Sequence, residues 1–133
     1  MAKYAALRER LQVHLPDVRF TEAQPATDGE LALVHTPAYI AAVAEGRLTI
    51  AEQREIGFPW SPAMAERARR SVGATLQACR VALGGEGIAG NLAGGTHHAY
   101  AHKGGGFCVF NDAAVAARLM QAEWARKGTQ QRA

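Results

Sequence analysis

The chain holds 133 residues, 48% of them hydrophobic and 20% charged, which is enough for one globular domain and too little for two. Aromatic residues make up only 7%, and much of the apolar share is alanine, so the core it can build is thin. Fifteen Lys and Arg against twelve Asp and Glu leave a net charge of +3, too modest for a nucleic-acid surface, and no apolar run reaches the roughly 18–20 residues that span a bilayer.

Residues 3–13 carry Tyr4, Leu7 and Leu11 at helical spacing, with Arg8, Glu9 and Arg10 on the other side, and predict a first helix. Charges every few positions over residues 1–15 exclude a signal peptide, and the chain reads as cytoplasmic. Leu15-Pro16-Asp17 breaks the helix, and Val18–Phe20 is expected to form a short strand. Thr36-Pro37 opens a second helix, because threonine caps free amides and proline suits the first turn. Tyr39, Ile40 and Val43 give it an apolar face, and Gly46 ends it. Thr49-Ile50-Ala51-Glu52 is a capping box for a short helix that stops at Gly57.

Ser61-Pro62 repeats the cap-plus-proline signal and opens the longest helix. Ala65, Ala68, Val72, Leu76, Cys79 and Leu83 form one continuous stripe along it, and Gly84-Gly85 ends it. Ile88–Ala93 predicts a short buried strand. A last helix runs from about Ala113 to Arg126, with Val115, Leu119 and Ala122 or Glu123 on its apolar side. Around its end Arg118, Arg126, Lys127 and Arg132 alternate with Ala, Gln and Glu123, the pattern of a solvated helix face. Helices, a strand, a loop and another helix in this order predict an α/β domain with its site at a strand's C-terminal end.

That site is read in residues 94–112, GGTHHAYAHKGGGFCVFND. His97 and His98 stand side by side between glycine clusters, ahead of a helix cap at Asn111 or Asp112. Glycine permits backbone shapes and close approaches that other residues forbid, so the loop can present two imidazoles to a ligand. On pattern alone, a flexible surface loop that happens to hold histidine accounts for it equally well. Three neighbouring matches fail on context. Gly85-Glu86-Gly87-Ile88-Ala89-Gly90 fits G-x-G-x-x-G but follows a helix and precedes a strand, the reverse of the dinucleotide motif. His98 and His102 have the spacing of a helical zinc pair, yet glycine on both sides opposes a helix and no carboxylate in the loop offers a third ligand. Cys108 is the one nucleophile close by in sequence and carries no mark of activation; it and Cys79 read as structural, and two cysteines make no disulfide framework.

The stretch GGTHHAYAHKGGGFCVFND resembles the His-His loop of the histone deacetylase family, including bacterial members known as acetoin-utilisation proteins. LVHTPAYIAAV and REIGFPWSPAMAERARRSVGATLQAC are similar to the helices that precede that loop, so the resemblance covers nearly the whole chain. It implies a partial arginase/deacetylase-like three-layer fold, the helix-rich N-terminal part of a parallel-sheet domain. Residues 1–133 would then be one partial domain, truncated at both ends, with the Asp-x-Asp-x-His metal motif falling just past Ala133.

What the resemblance implies for chemistry is hydrolysis of an acyl-lysine or similar acyl-amine by a zinc-dependent enzyme whose metal ligands are not in this chain. His98 would be the main proton carrier and His97 its electrostatic partner, roles that imidazole fills because it titrates near neutrality. Gly106 would meet the substrate amide through its backbone carbonyl, and Phe107 would form one wall of the acyl-lysine channel. Without the resemblance, an aromatic ahead of the apolar Cys108-Val109-Phe110 run reads as core. The chain alone is expected to be inactive and to bind no zinc tightly. A complementary C-terminal piece would complete the enzyme; the alternative is a non-catalytic remnant or the partner-binding subunit of a split enzyme. Neither nucleic acid nor membrane is expected as a partner.

Overall fold

The computed structural model describes residues 2–126, and Lys127 and Arg132 of the basic tail lie outside them. Six helices follow one another: α1 (Ala2–His14), α2 (Asp28–Leu31), α3 (Pro37–Glu45), α4 (Ile50–Ile56), α5 (Pro62–Val81) and α6 (Asp112–Arg126). The starts encoded in the sequence are formed as expected. The Thr36 side chain accepts the Tyr39 amide, Thr49 and Glu52 close a reciprocal capping box, and the Ser61 side chain accepts the Met64 amide. Gly46 and Gly57 end their helices in left-handed conformations that suit glycine.

The core lies where α5 and α6 pack together under α2, α3 and α4. Leu31, Val43, Ile56, Met64, Val72, Leu76, Phe110 and Val115 are its buried centre. An extended strip, residues 19–27, crosses α5 at Gly73. There the Ala26 amide donates to the Arg69 carbonyl, and the Arg70 guanidinium reaches the Ala23 carbonyl at 2.8 Å. Backbone meets backbone at that crossing: a Cβ on Gly73 would sit 1.8 Å from the Gln24 carbonyl oxygen.

The first helix forms as expected, although Leu7 is exposed and none of its residues with described burial is buried. Three expectations are corrected. The stripe on α5 holds through Val72, Leu76 and Cys79 and then fails, because the helix widens into a π turn at Ala82–Glu86, kinked at Gly85, that leaves Leu83 exposed. The strands expected at Val18–Phe20 and Ile88–Ala93 are both absent. Ile88 is 90% exposed, and a strand exists only through pairing with a neighbour, which neither segment has among the described residues. The one extended pairing described is a single bridge between Gly105 and Cys108. No helix of the described residues is long and apolar enough to cross a membrane.

Candidate active site

Four elements hold the 94–112 loop: α6, α5 through Thr75, α4 and the turn before α3. From α6, Asn111 caps the helix by accepting the Ala114 amide at 3.0 Å, and its Nδ2 donates to the carbonyls of His97 at 3.2 Å and Ala99 at 3.1 Å. Its neighbour Asp112 takes the amides of Gly95 at 2.9 Å and Thr96 at 2.8 Å and the Thr75 hydroxyl at 2.7 Å. Burial alone would push that carboxyl up; these donors outweigh it and hold the group below its usual range. From α4, the Ile56 carbonyl accepts the Phe107 amide at 2.6 Å. From the turn before α3 comes His35, whose Nε2 accepts the Asn111 amide at 3.0 Å while Nδ1 lies 3.3 Å from the Ala101 carbonyl.

So held, the loop sets the His97 and His98 rings with centroids 4.2 Å apart and tilted by 45°, both exposed. His98 lines an open groove of about 490 Å³ with Glu55, Tyr100, Gly105, Gly106 and Phe107. Glycine suits position 106 on two counts: its φ is +52°, and a Cβ there would stand a tight 3.1 Å from the Cβ and Cγ of His98. Its carbonyl accepts a hydrogen bond from the Cys108 thiol at 3.4 Å, which accounts for that buried cysteine structurally.

Phe107 is not core. It is 71% exposed and stacks on Phe58 at 6.3 Å, while Phe110 takes the buried position. Its φ of +66° is unusual for a bulky residue and costs on the order of 1–3 kcal/mol. The Ile56 hydrogen bond holds it there, and Gly57 makes room: a Cβ on Gly57 would lie 2.7 Å from the Phe107 ring. His98, Gly106 and Phe107 are thus brought to one groove, with His97 against His98. His102 is exposed and not on a helix, which leaves the zinc-pair spacing without its geometry. Sequence reasoning missed His35 and Thr75 as supports of this loop; neither lies near it in the chain, and neither has a local motif.

The described residues do not fit a resident metal. No group of three His, Cys, Asp or Glu among them converges on one point, and Asp112 already spends its oxygens on amides and a hydroxyl. Isothermal titration of the chain with zinc at neutral pH is therefore expected to show weak, displaceable binding at most. One ion bound at submicromolar affinity, and lost in His97→Ala, would contradict this.

Residues 1–129 match the family model for the histone deacetylase domain. The chain is 37% identical over 111 residues to the acetoin utilization protein AcuC of Bacillus subtilis, an alignment that covers 77% of this chain and 29% of that protein. It is 47% identical over 91 residues to an uncharacterized protein of Picosynechococcus, covering 68% of this chain and 30% of the relative. Among solved structures it superposes on an HDAC homolog from Aquifex aeolicus with a TM-score of 0.74 at 30% identity, covering 89% of this chain and 35% of that one. An HDAC homolog complexed with SAHA matches with a TM-score of 0.72, also at 30% identity, over 89% of this chain and 35% of that one. The chain spans about a third of the length of the proteins it matches.

Proposed function

The chain belongs to the histone deacetylase family, and from that premise we propose that it carries the proton-handling and channel side of an amide hydrolase site. Its fold is a helix-rich part of the arginase/deacetylase fold of its structural neighbours. The substrate we assign is an acyl-lysine or a similar acyl-amine. The observation that supports this reading is the imidazole pair, 4.2 Å apart and exposed beside a groove that His98 shares with Gly106 and Phe107.

Amide hydrolysis needs a base for the attacking water and an acid for the departing amine. His98, which faces the groove, takes the proton from water and returns it to the amine nitrogen as the C–N bond breaks. His97, packed against it, biases the charge on that ring. Phe107 projects from the groove wall, where its exposed ring can lie along the methylenes of a lysine side chain. Gly106 offers a backbone carbonyl to the substrate amide; a carbonyl oxygen has two lone pairs, and the Cys108 thiol uses one. Any zinc in the complete enzyme would be held by residues other than those described here.

The test is reconstitution. The chain alone is expected to leave an acetyl-lysine peptide intact, with or without added zinc, and to gain activity when the remaining part of the domain is supplied. In the reconstituted enzyme Phe107→Ala should raise KM several-fold with kcat changed less, because the ring contributes binding area rather than chemistry. Full activity of the chain alone, or a Phe107→Ala enzyme altered only in kcat, would count against the reading.

A further inference from the structure

We propose that His35 is a positioning residue, a buried neutral clamp that ties the middle of the paired-histidine loop at Ala101 to its end at Asn111 through one fixed tautomer. The positioning role rests on His97 and His98 being the reacting pair; the clamp itself does not.

The atoms around the ring leave one arrangement. His35 is 2% exposed. The Asn111 amide can only donate, so the Nε2 that it meets at 3.0 Å must be bare, and the ring hydrogen belongs on Nδ1. There it faces the Ala101 carbonyl at 3.3 Å, which also accepts the Thr36 amide at 3.0 Å. One ring therefore bridges Ala101, just past the histidine pair, and Asn111, whose side chain in turn holds the His97 and Ala99 carbonyls. Without it, a part-buried amide at the entry to α6 loses its acceptor, and the residue that fixes the backbone of the pair loses its anchor.

The ring's surroundings favour neutrality. Tyr39 on α3 and Phe110 pack on it with centroids 5.7 and 5.2 Å away. Tyr39 is the titratable group that faces it; its hydroxyl donates to the Val109 carbonyl, and burial pushes its pKa up, so it stays neutral. Asp112, at the start of α6, turns its carboxylate to Thr75, Gly95 and Thr96. Burial lowers the His35 pKa below the ordinary 6.5, against smaller opposing contributions from the Ala101 and Tyr100 backbone. A histidine shifted down in the folded state contributes stability that is complete above pH 6.5 and is lost as pH falls through its folded value. Protonation would put the ring's second hydrogen on Nε2, facing the Asn111 amide.

Hydrogen–deuterium exchange of the full chain, followed at the Asn111 amide and across residues 99–112 as a function of pH, tests the clamp. His35→Phe, which fills the space but offers no acceptor, should speed Asn111 exchange about tenfold at neutral pH. His35→Gln retains an amide acceptor and donor and has no titrating group, so it should keep most of the protection and abolish its loss on acidification. Wild-type protection in His35→Phe, or an unchanged acid step in His35→Gln, would overturn the proposal; if His35→Phe does not fold, the glutamine variant decides alone. Nitrogen NMR of the wild-type ring adds a direct readout, since a hydrogen on Nε2 at neutral pH would also overturn it. Each of these readings is independent of deacetylation, so failure of the catalytic assignment leaves a separate signature.

Discussion

In the reconstituted enzyme His98→Ala is expected to lower kcat by about a hundredfold or more while leaving KM within a few-fold of wild type. General acid–base catalysis by a placed side chain contributes about 10²–10⁴ in rate. That contribution is made in the transition state, when the proton is in flight, so its loss falls on turnover and not on ground-state binding. His97→Ala should have the smaller effect, because its ring acts through its neighbour. The measurement is a pair of steady-state parameters for each variant on one acetyl-lysine peptide. Near-normal turnover in His98→Ala would end the assignment of that residue, and a larger loss in His97→Ala would exchange the two roles.

Gly73→Ala is expected to destabilise the folded chain by about 2 kcal/mol or more, against the direction that helix propensity alone would give. In a helix interior alanine is favoured over glycine by about 1 kcal/mol. At this position the new Cβ would meet the Gln24 carbonyl oxygen at 1.8 Å, and both sides of that contact are backbone. The strip must lift away, at the expense of the Ala26–Arg69 hydrogen bond and of the Arg70 contact with Ala23, a cost in the range of overpacked cores, about 1–3 kcal/mol. Gly84→Ala is the control, since nothing lies within 4 Å of its would-be Cβ. Equilibrium denaturation compares the two: equal midpoints would show that the crossing is not tight.

Local chemistry made several elements legible in the sequence. Thr36-Pro37, Thr49 with Glu52, and Ser61-Pro62 each satisfy free amides from within a few residues, so their helices start where the sequence places them. The pairing of Val72 with Leu76 on one face needs only the helical period. The loop was legible as a candidate site because adjacent histidines and flanking glycines are local as well, and the structure brings His98, Gly106 and Phe107 to one groove.

The two missing strands show where such reading stops. Val18–Phe20 and the mostly apolar Ile88–Ala93 read as strands, but a strand is a relation between segments, and a run of apolar residues does not supply the partner. The same holds for α1, whose spacing of Tyr4, Leu7 and Leu11 produced a helix on which Tyr4 and Leu11 are half-buried and Leu7 is exposed among the described residues.

The sequence by itself determined the starts of α3, α4 and α5, the glycine ends of α3 and α4, the core-facing stripe of α5 as far as Cys79 and the presence of a paired-histidine loop, because each depends on interactions a few residues long. Only the tertiary structure decided that Phe107 stands in solvent while Phe110 is core. It alone revealed Gly73 as a crossing point and His35 as the ring that joins Ala101 to Asn111 across 66 and 76 residues of chain. These are contacts between distant segments, fixed by how the elements pack and not by what any one of them prefers.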